Sequence, residues 1–441
     1  MSVENEDIEP RIGTGTGLMA LSPIVVFLAF YLVASIVTGD FYAMPISLAF
    51  IVAVAWAFFI FRGKRLVERI EVFSRGAANP DVLYMIWIFI MAGAFASLAK
   101  SVGAIDATVA LALRTLPSEL IVPGLFVAAC FISLSIGTSV GTVVALTPFA
   151  VEMASSIGLS EAMMVATVLG GAFFGDNLSF ISDTTIAATR SQGCRMSDKF
   201  RANLWIALPA ALLTLAVYIV FGQADIMAAD IASQDYWLIL PYLIVIITAV
   251  MGVNVLVVLA LGIVSSIVIA ILRTEVTVIE MCTAMGSGIT GMGELIVVTL
   301  MAAGLLSIIK QNGGITYVIQ RLTSCISGTR GAQTCVALLV SIVNLCTANN
   351  TIAIITVGEL SRRIAERFGL DPRKVASILD TCSCIVQSLI PYGAQALLAA
   401  GLSSLSPVAF LPYLYYSHAL AGLVVLSIIF RFPRSMSRRR A

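Results

Sequence analysis

The sequence predicts an all-α polytopic membrane protein: two inverted-topology repeats of about five spans each, with paired re-entrant hairpins and two broken helices. Three observations predict it. First, apolar runs of about 17–25 residues recur along the chain. Of its 441 residues, 59% are hydrophobic and 12% charged, whereas an average soluble domain carries about 25% charged residues. Second, the halves match colinearly at a spacing of about 210 residues. Met91, Ala92, Ser97, Lys100, Gly103 and Ile105 return as Met301, Ala302, Ser307, Lys310, Gly313 and Ile315, and Gly158-Leu159 returns as Gly369-Leu370. Third, hydroxyl-, amide- and carboxylate-rich stretches interrupt the apolar runs at matching places. The densest is Gly175-Asp-Asn-Leu-Ser-Phe-Ile-Ser-Asp-Thr-Thr185.

Taken in order, residues 1–17 form a polar N-terminal tail, and 18–38 and 42–61 two spans. A loop rich in Arg and Lys follows from Arg62 to Pro80, then a span over 82–100. Residues 120–157 are too long for one crossing and break at Ser135-Ile-Gly-Thr-Ser-Val-Gly-Thr142. This predicts a hairpin over 119–157, tolerated at membrane depth only where its tip lines a protein cavity. A broken helix occupies 160–190, a short basic loop holds Arg190, Arg195, Lys199 and Arg201, and 202–221 crosses again. The first repeat thus covers 18–222. The connection 222–235 carries Asp225, Asp230 and Asp235 and no basic residue.

The second repeat, 236–430, follows the same order. Spans cover 237–251, 255–272 and 291–310. A hairpin over 332–366 breaks at Thr347-Ala-Asn-Asn-Thr351, and a helix over 373–402 breaks at Ser388-Leu-Ile-Pro-Tyr-Gly393. A last span over 411–430 precedes a basic tail, 431–441. Basic residues favour the cytoplasm. With re-entrant hairpins, the loops near Arg62, Arg190, Arg321 and 362–374 share one face with the C-terminal tail, and the acidic connection falls on the other. Both termini are then cytoplasmic, in a multi-pass protein of the inner (cytoplasmic) membrane. Five spans per half, or seven with each hairpin counted as two crossings, are both odd, so either count inverts the halves.

Composition excludes several classes. A net charge of +1 says nothing about nucleic acid, and no basic patch interleaved with aromatics points to it. Eight cysteines, of which only Cys382-Ser-Cys384 are close, and one histidine, His418, do not make a zinc or iron–sulfur site. No nucleophile elbow or phosphate-binding loop is present, so an enzyme is not expected, nor a cofactor. The acidic start, residues 1–11, lacks the basic opening of a signal peptide.

The 175–185 stretch resembles the GDNLSPISDTT signature of NhaC-type sodium/proton antiporters. Residues 135–142 resemble their SFGTSWGT element, and Leu389-Ile-Pro391 their SPLIPWN break. The resemblance covers nearly the whole chain. It implies the ion-transporter superfamily fold, a homodimer and an elevator-like step, with membrane lipid and a small ion or solute as partners. The sequence departs from the pattern at four places: Phe180 replaces Pro, Val140 replaces Trp, Asn349-Asn350 replaces Asp-Gln, and Gly393 or Ala394 replaces Asn. The second-half site has therefore lost an acid.

Ionisable groups at membrane depth cost roughly 3 kcal/mol or more, so they persist where they face a cavity, a partner or an ion. Sodium is a hard cation and takes oxygen ligands, which Asp176, Asn177, Ser179 and Asp183 supply. Carboxylates in low dielectric hold protons more tightly, and a bound cation releases them; that competition is exchange. Asp176 is the expected shared ion/proton carboxylate, with Asp183 next and Asp380, mid-span, a further proton carrier. A plainer role for Asp183 is capping the second half-helix. Ser182 and Thr184 are further oxygen donors or stabilise the break. Thr138, Ser139 and Thr142 at one hairpin tip, and Asn349, Asn350 and Thr351 at the other, complete the site or merely pack. Gln387 and Ser388 stand opposite Asp176 and Asn177 in the repeat. Glu152 and Glu359 are expected to pair with Lys or Arg. The expected activity is sodium/proton exchange. The alternative is a sodium- or proton-coupled carrier of a small organic anion or amino acid. A channel would require an open polar pore.

Overall fold

A chain in hydrocarbon must satisfy its backbone N–H and C=O groups internally, so apolar runs fold as helices. The computed structural model describes residues 12–38, 45–61, 65–115, 117–179, 182–222, 235–251, 253–323, 326 and 328–432, and among them there is no strand. The first half runs through α1 (Thr14–Thr38), α2 (Ile46–Ile60), α3 (Leu66–Ala77), α4 (Pro80–Ser101) and α5 (Ala104–Thr115). It continues with α6 (Ile121–Ile136), α7 (Ser139–Ile157), α8 (Glu161–Leu178), α9 (Asp183–Gln192) and α10 (Met196–Phe221). The second half begins with α11 (Leu240–Val250), α12 (Val255–Arg273), α13 (Val278–Gly291), α14 (Gly293–Gln311) and α15 (Gly314–Thr323). It closes with α16 (Gly328–Thr347), α17 (Asn350–Phe368), α18 (Pro372–Leu389), α19 (Ala394–Ser403) and α20 (Tyr415–Ile429). Among the described residues nine spans are long and apolar enough to cross a membrane, or ten when the bent pair 407–413 and 415–429 counts as one.

The halves are inverted repeats, and the packing shows their kinship. Helix α4 packs on α13 and α14 on α3; α7 packs on α19 and α17 on α9. Left-handed stops recur at matching positions: φ is 81° at both Gly103 and Gly313, and 69° and 64° at Gly158 and Gly369. Glycine is not required for the match. Gly137 and Gly193 have φ of 73° and 65°, whereas their counterparts Ala348 and Ser404 take 49° and 57°. A side chain in that region costs roughly 1–2 kcal/mol, so the fold imposes these stops. Side-chain bonds repeat too. Ser133 Oγ donates to the Ala172 carbonyl at 2.6 Å, and Asn344 Nδ2 to the Ser383 carbonyl at 2.7 Å.

Four helices were not expected from the sequence. The stretch after Arg62, read as a loop, contains the 12-residue α3, and α5, α13 and α15 are similarly short. Each falls below the roughly 20 residues that a crossing needs. The side chain of Phe73 in α3 lies against Gly304 in α14, which shows how a short amphipathic helix is held. A second correction concerns Lys199, read as part of a basic loop: α10 begins at Met196 and buries it completely. The expected pairs do form, Lys100 with Glu152 and Arg363 with Glu359, each at 3.4 Å. Residues 1–11 and 433–441 of the tails, Arg62, most of the acidic connection (223–234) and Phe180 lie outside the described residues.

Helices α8 and α18 are buried over almost their whole lengths and form the centre of the bundle. Each ends where the chain leaves helical geometry, at Ser179 and at Ile390. The hairpin pairs α6–α7 and α16–α17 flank them.

Candidate ion-binding site

Five helix N-termini converge on one cavity of about 420 Å³, those of α7, α9, α12, α17 and α19. Helix N-termini present free N–H groups and partial positive charge, so each needs an oxygen. Four find one in this chain, that of α12 in Asn254 Oδ1, which accepts from Leu256 N at 3.0 Å. Ser139 N, at the start of α7, donates to Asp176 Oδ1 at 3.1 Å. Ser182 caps α9 by accepting from Thr185 N, and Asn349 caps α17 by accepting from Ile352 N. Asp183, given a capping role as its plainer reading, is the first residue of α9 and lines the cavity, and Ser182 occupies the N-cap position before it. An acid in the first turn complements the dipole without being the cap.

Of the residues expected at the site, the cavity wall holds Thr138, Ser139, Asp176, Asp183, Thr184, Asn349, Asn350, Thr351 and Gln387. The others are turned away from it. Asn177 Nδ2 donates to the Phe173 carbonyl at 2.8 Å and to Tyr416 Oη at 3.2 Å. Ser179 Oγ lies 3.4 Å from the Leu134 carbonyl, and Thr142 Oγ1 3.4 Å from that of Thr138. Ser388 donates to the Ile385 carbonyl at 2.7 Å. Ser182 bonds the Asp176 carbonyl at 3.1 Å and Thr185 Oγ1 at 2.8 Å, which braces the break.

The wall also includes Tyr84, Asn254 and Gln395, which the sequence did not single out. Gln395 joins the halves. Its Nε2 donates to Ser139 Oγ at 3.0 Å, and its Oε1 accepts from Gln387 Nε2 at 2.9 Å. Gln387 reaches on to the Ala348 carbonyl at 3.0 Å. A continuous polar line therefore runs from Asp176 through the first hairpin tip and α19 to the second hairpin tip.

Behind the wall lies the feature that sequence reasoning missed. The orphan carbonyls at the end of α8 are taken by this chain's own ammonium. Lys199 Nζ donates to the Asn177 carbonyl at 2.7 Å, the Asp176 carbonyl at 3.4 Å and Thr185 Oγ1 at 2.7 Å. It also pairs with Asp380 Oδ2 at 2.9 Å. Asn203 Nδ2 binds the same carboxylate at 2.7 Å and the Asn177 carbonyl at 2.8 Å. A cation at a helix C-terminus suits the dipole. The available signal was Lys199 and Asn203 four positions apart, on one face of a largely apolar helix. Among the described residues no cluster of three His, Cys, Asp or Glu side chains could hold a resident metal.

Comparison with known proteins fits this geometry. The chain is 19% identical to the malate-2H+/Na+-lactate antiporter of Bacillus subtilis, over 93% of this chain and 94% of that protein. It is 24% identical to the Na+/H+ antiporter NhaC of the same organism, over 68% of this chain and 73% of the relative. With the arginine/ornithine antiporter ArcD of Halobacterium salinarum it shares 22% identity, over 96% and 93%. All three are transporters rather than enzymes. The family described as the Na+/H+ antiporter family matches residues 2–223 and 232–432, so this chain belongs to the Na+/H+ antiporter family.

Proposed function

We propose that the protein exchanges sodium for protons across the cytoplasmic membrane, with Asp176 carrying either ion in turn. The observation that carries this reading is the placement of Asp176. It is 4% exposed, sits at a helix break beside the cavity, and is fixed by Ser139 N at a hairpin tip. A carboxylate so placed binds a cation only by giving up its proton. Asp183 is the accessory carboxylate, and Asp380 is paired with Lys199 behind the wall. Both termini are cytoplasmic, the hairpins re-enter from the side they leave, and two copies assemble through the lipid-facing scaffold.

The movement is elevator-like. The cavity lies between α4 and the N-terminal ends of α7 and α19. A second cavity of about 290 Å³ lies further along α4, towards the C-terminal ends of the same two helices. Both flank one seam, along which α7 and α19 slide. The test is flux in proteoliposomes. Sodium alone should dissipate an imposed pH gradient, and Asp176→Asn should abolish this while keeping the fold, because an amide oxygen still accepts from Ser139 N. Wild-type exchange by that variant would remove Asp176 from the role.

A second reading has its own observation. The cavity is more than tenfold larger than the roughly 30 Å³ share of one water and falls in the range of small-molecule sites, about 300–1,000 Å³. Coupled transport of a small organic solute fits that size, as do the names of the malate/lactate and arginine/ornithine relatives.

A further inference from the structure

We infer that the organic ligand of the cavity is an amino acid, with its ammonium group between Asp176 and Gln387 and its carboxylate at the N-terminus of α19. The inference rests on the second reading above and gives it a chemistry.

The wall is bipolar, with its two ends provided by different elements. Its charged side chains are Asp176 and Asp183; among the described residues no Lys, Arg or His lines it. An organic anion alone would meet two carboxylates and no cation, which like-charge repulsion disfavours. A cationic group meets an attractive wall. The second half reinforces it: Gln387 is the repeat counterpart of Asp176 and is 1% exposed. Its Nε2 is engaged by the Ala348 carbonyl and Gln395 Oε1, while its Oε1 is buried with no donor. A buried acceptor left unmade costs about 1–3 kcal/mol, and an ammonium supplies several donors at once.

The other pole is α19. Of the five N-termini at the cavity, it is the one with neither a side-chain cap nor a carboxylate: Gly393 occupies its N-cap position without a side-chain bond. In the first half, the matching helix α9 begins with Asp183; here the matching residue is Ala394, which lines the cavity. Exchanging an acid for alanine leaves the partial positive charge of α19 without an anion, as a carboxylate ligand requires. Sodium and the ammonium would compete for Asp176, and that competition couples the two fluxes.

The test uses full-length protein in sodium-free, amine-free potassium phosphate. Three probes are compared by thermal shift and by counterflow in proteoliposomes: L-lysine, cadaverine (no carboxylate) and hexanoate (no amine). L-lysine should stabilise the protein and exchange; cadaverine should bind at least tenfold more weakly, and hexanoate not at all. Gln387→Met should weaken L-lysine at least tenfold, and Gln387→Glu, which returns an acceptor, should bind it more tightly than wild type. No response to L-lysine overturns the inference, as does hexanoate or cadaverine binding equally well, or Gln387→Glu binding no better than Gln387→Met. Sodium-driven proton movement is measured in the same vesicles. If it fails while L-lysine binds, the sodium reading falls and this inference stands; if it proceeds while L-lysine does not bind, this inference falls alone.

Discussion

Lys199 and Asp380 meet at 2.9 Å, Nζ to Oδ2, with both side chains fully buried. They come from α10 in the first repeat and α18 in the second, so the pair ties the halves together directly behind the broken helix. Its repeat counterparts are apolar: Phe410 stands opposite Lys199 and Leu169 opposite Asp380 at the spacing that pairs Gly158 with Gly369. The pair breaks the internal symmetry and gives the first-half break a support that the second lacks.

Removing one partner strands a buried charge, which costs about 3–5 kcal/mol, while replacing both with apolar groups often restores stability. Lys199→Met and Asp380→Asn are each expected to lower stability by about that amount. Lys199→Met/Asp380→Leu should recover more than half of the loss. Denaturant or thermal unfolding of the purified variants checks this, and simple additivity of the single effects would mean that the charges are not coupled.

Asp176 and Asp183 should separate kinetically. Asp176 is buried and fixed by Ser139, whereas Asp183 is exposed in the cavity wall. Asp183→Asn is expected to raise the KM for sodium about tenfold with the maximal rate kept, the pattern of lost uniform binding. Asp176→Asn should lose the rate itself. Initial-rate measurements over a range of sodium concentrations distinguish the two, and a rate loss for Asp183→Asn would promote it to an obligatory carrier.

The contact between α6 and α8 depends on Gly171. A Cβ there would lie 2.9 Å from Cys130 N and closer still to Ala129 Cβ. Gly171→Ala should therefore destabilise by about 1–3 kcal/mol through overpacking. In Gly286→Ala the new methyl group meets nothing within 4 Å, so helix propensity alone should act, stabilising by about 0.5–1 kcal/mol. Opposite shifts in unfolding temperature are the expected outcome.

The sliding seam predicts reciprocal labelling. Asn254 lines the first cavity and Ser287 the second. On a Cys282→Ser background, which removes the thiol exposed among the described residues, Asn254→Cys and Ser287→Cys should react with impermeant maleimides from opposite sides of the membrane. Adding sodium should change the two rates in opposite directions. Parallel changes would count against a single moving seam.

Membrane class, the internal repeat and the positions of both breaks were legible in the sequence. Hydrocarbon forces each span to be a continuous apolar helix, so interruptions such as 135–142 and 175–185 stand out locally. Asp176 was legible for the same reason, as a charge at a depth where charge is costly. Only the tertiary structure decided which polar groups face the cavity and which face one another. Asn177 turns to Tyr416, Gln395 joins Ser139 to Gln387, and Lys199 reaches the carbonyls of α8. These partners are 239, 256, 8 and 22 positions apart in sequence, and the longer separations leave no local pattern. The rotation of α8 about its axis is set by packing on all sides, and no apolar stripe in the sequence records it.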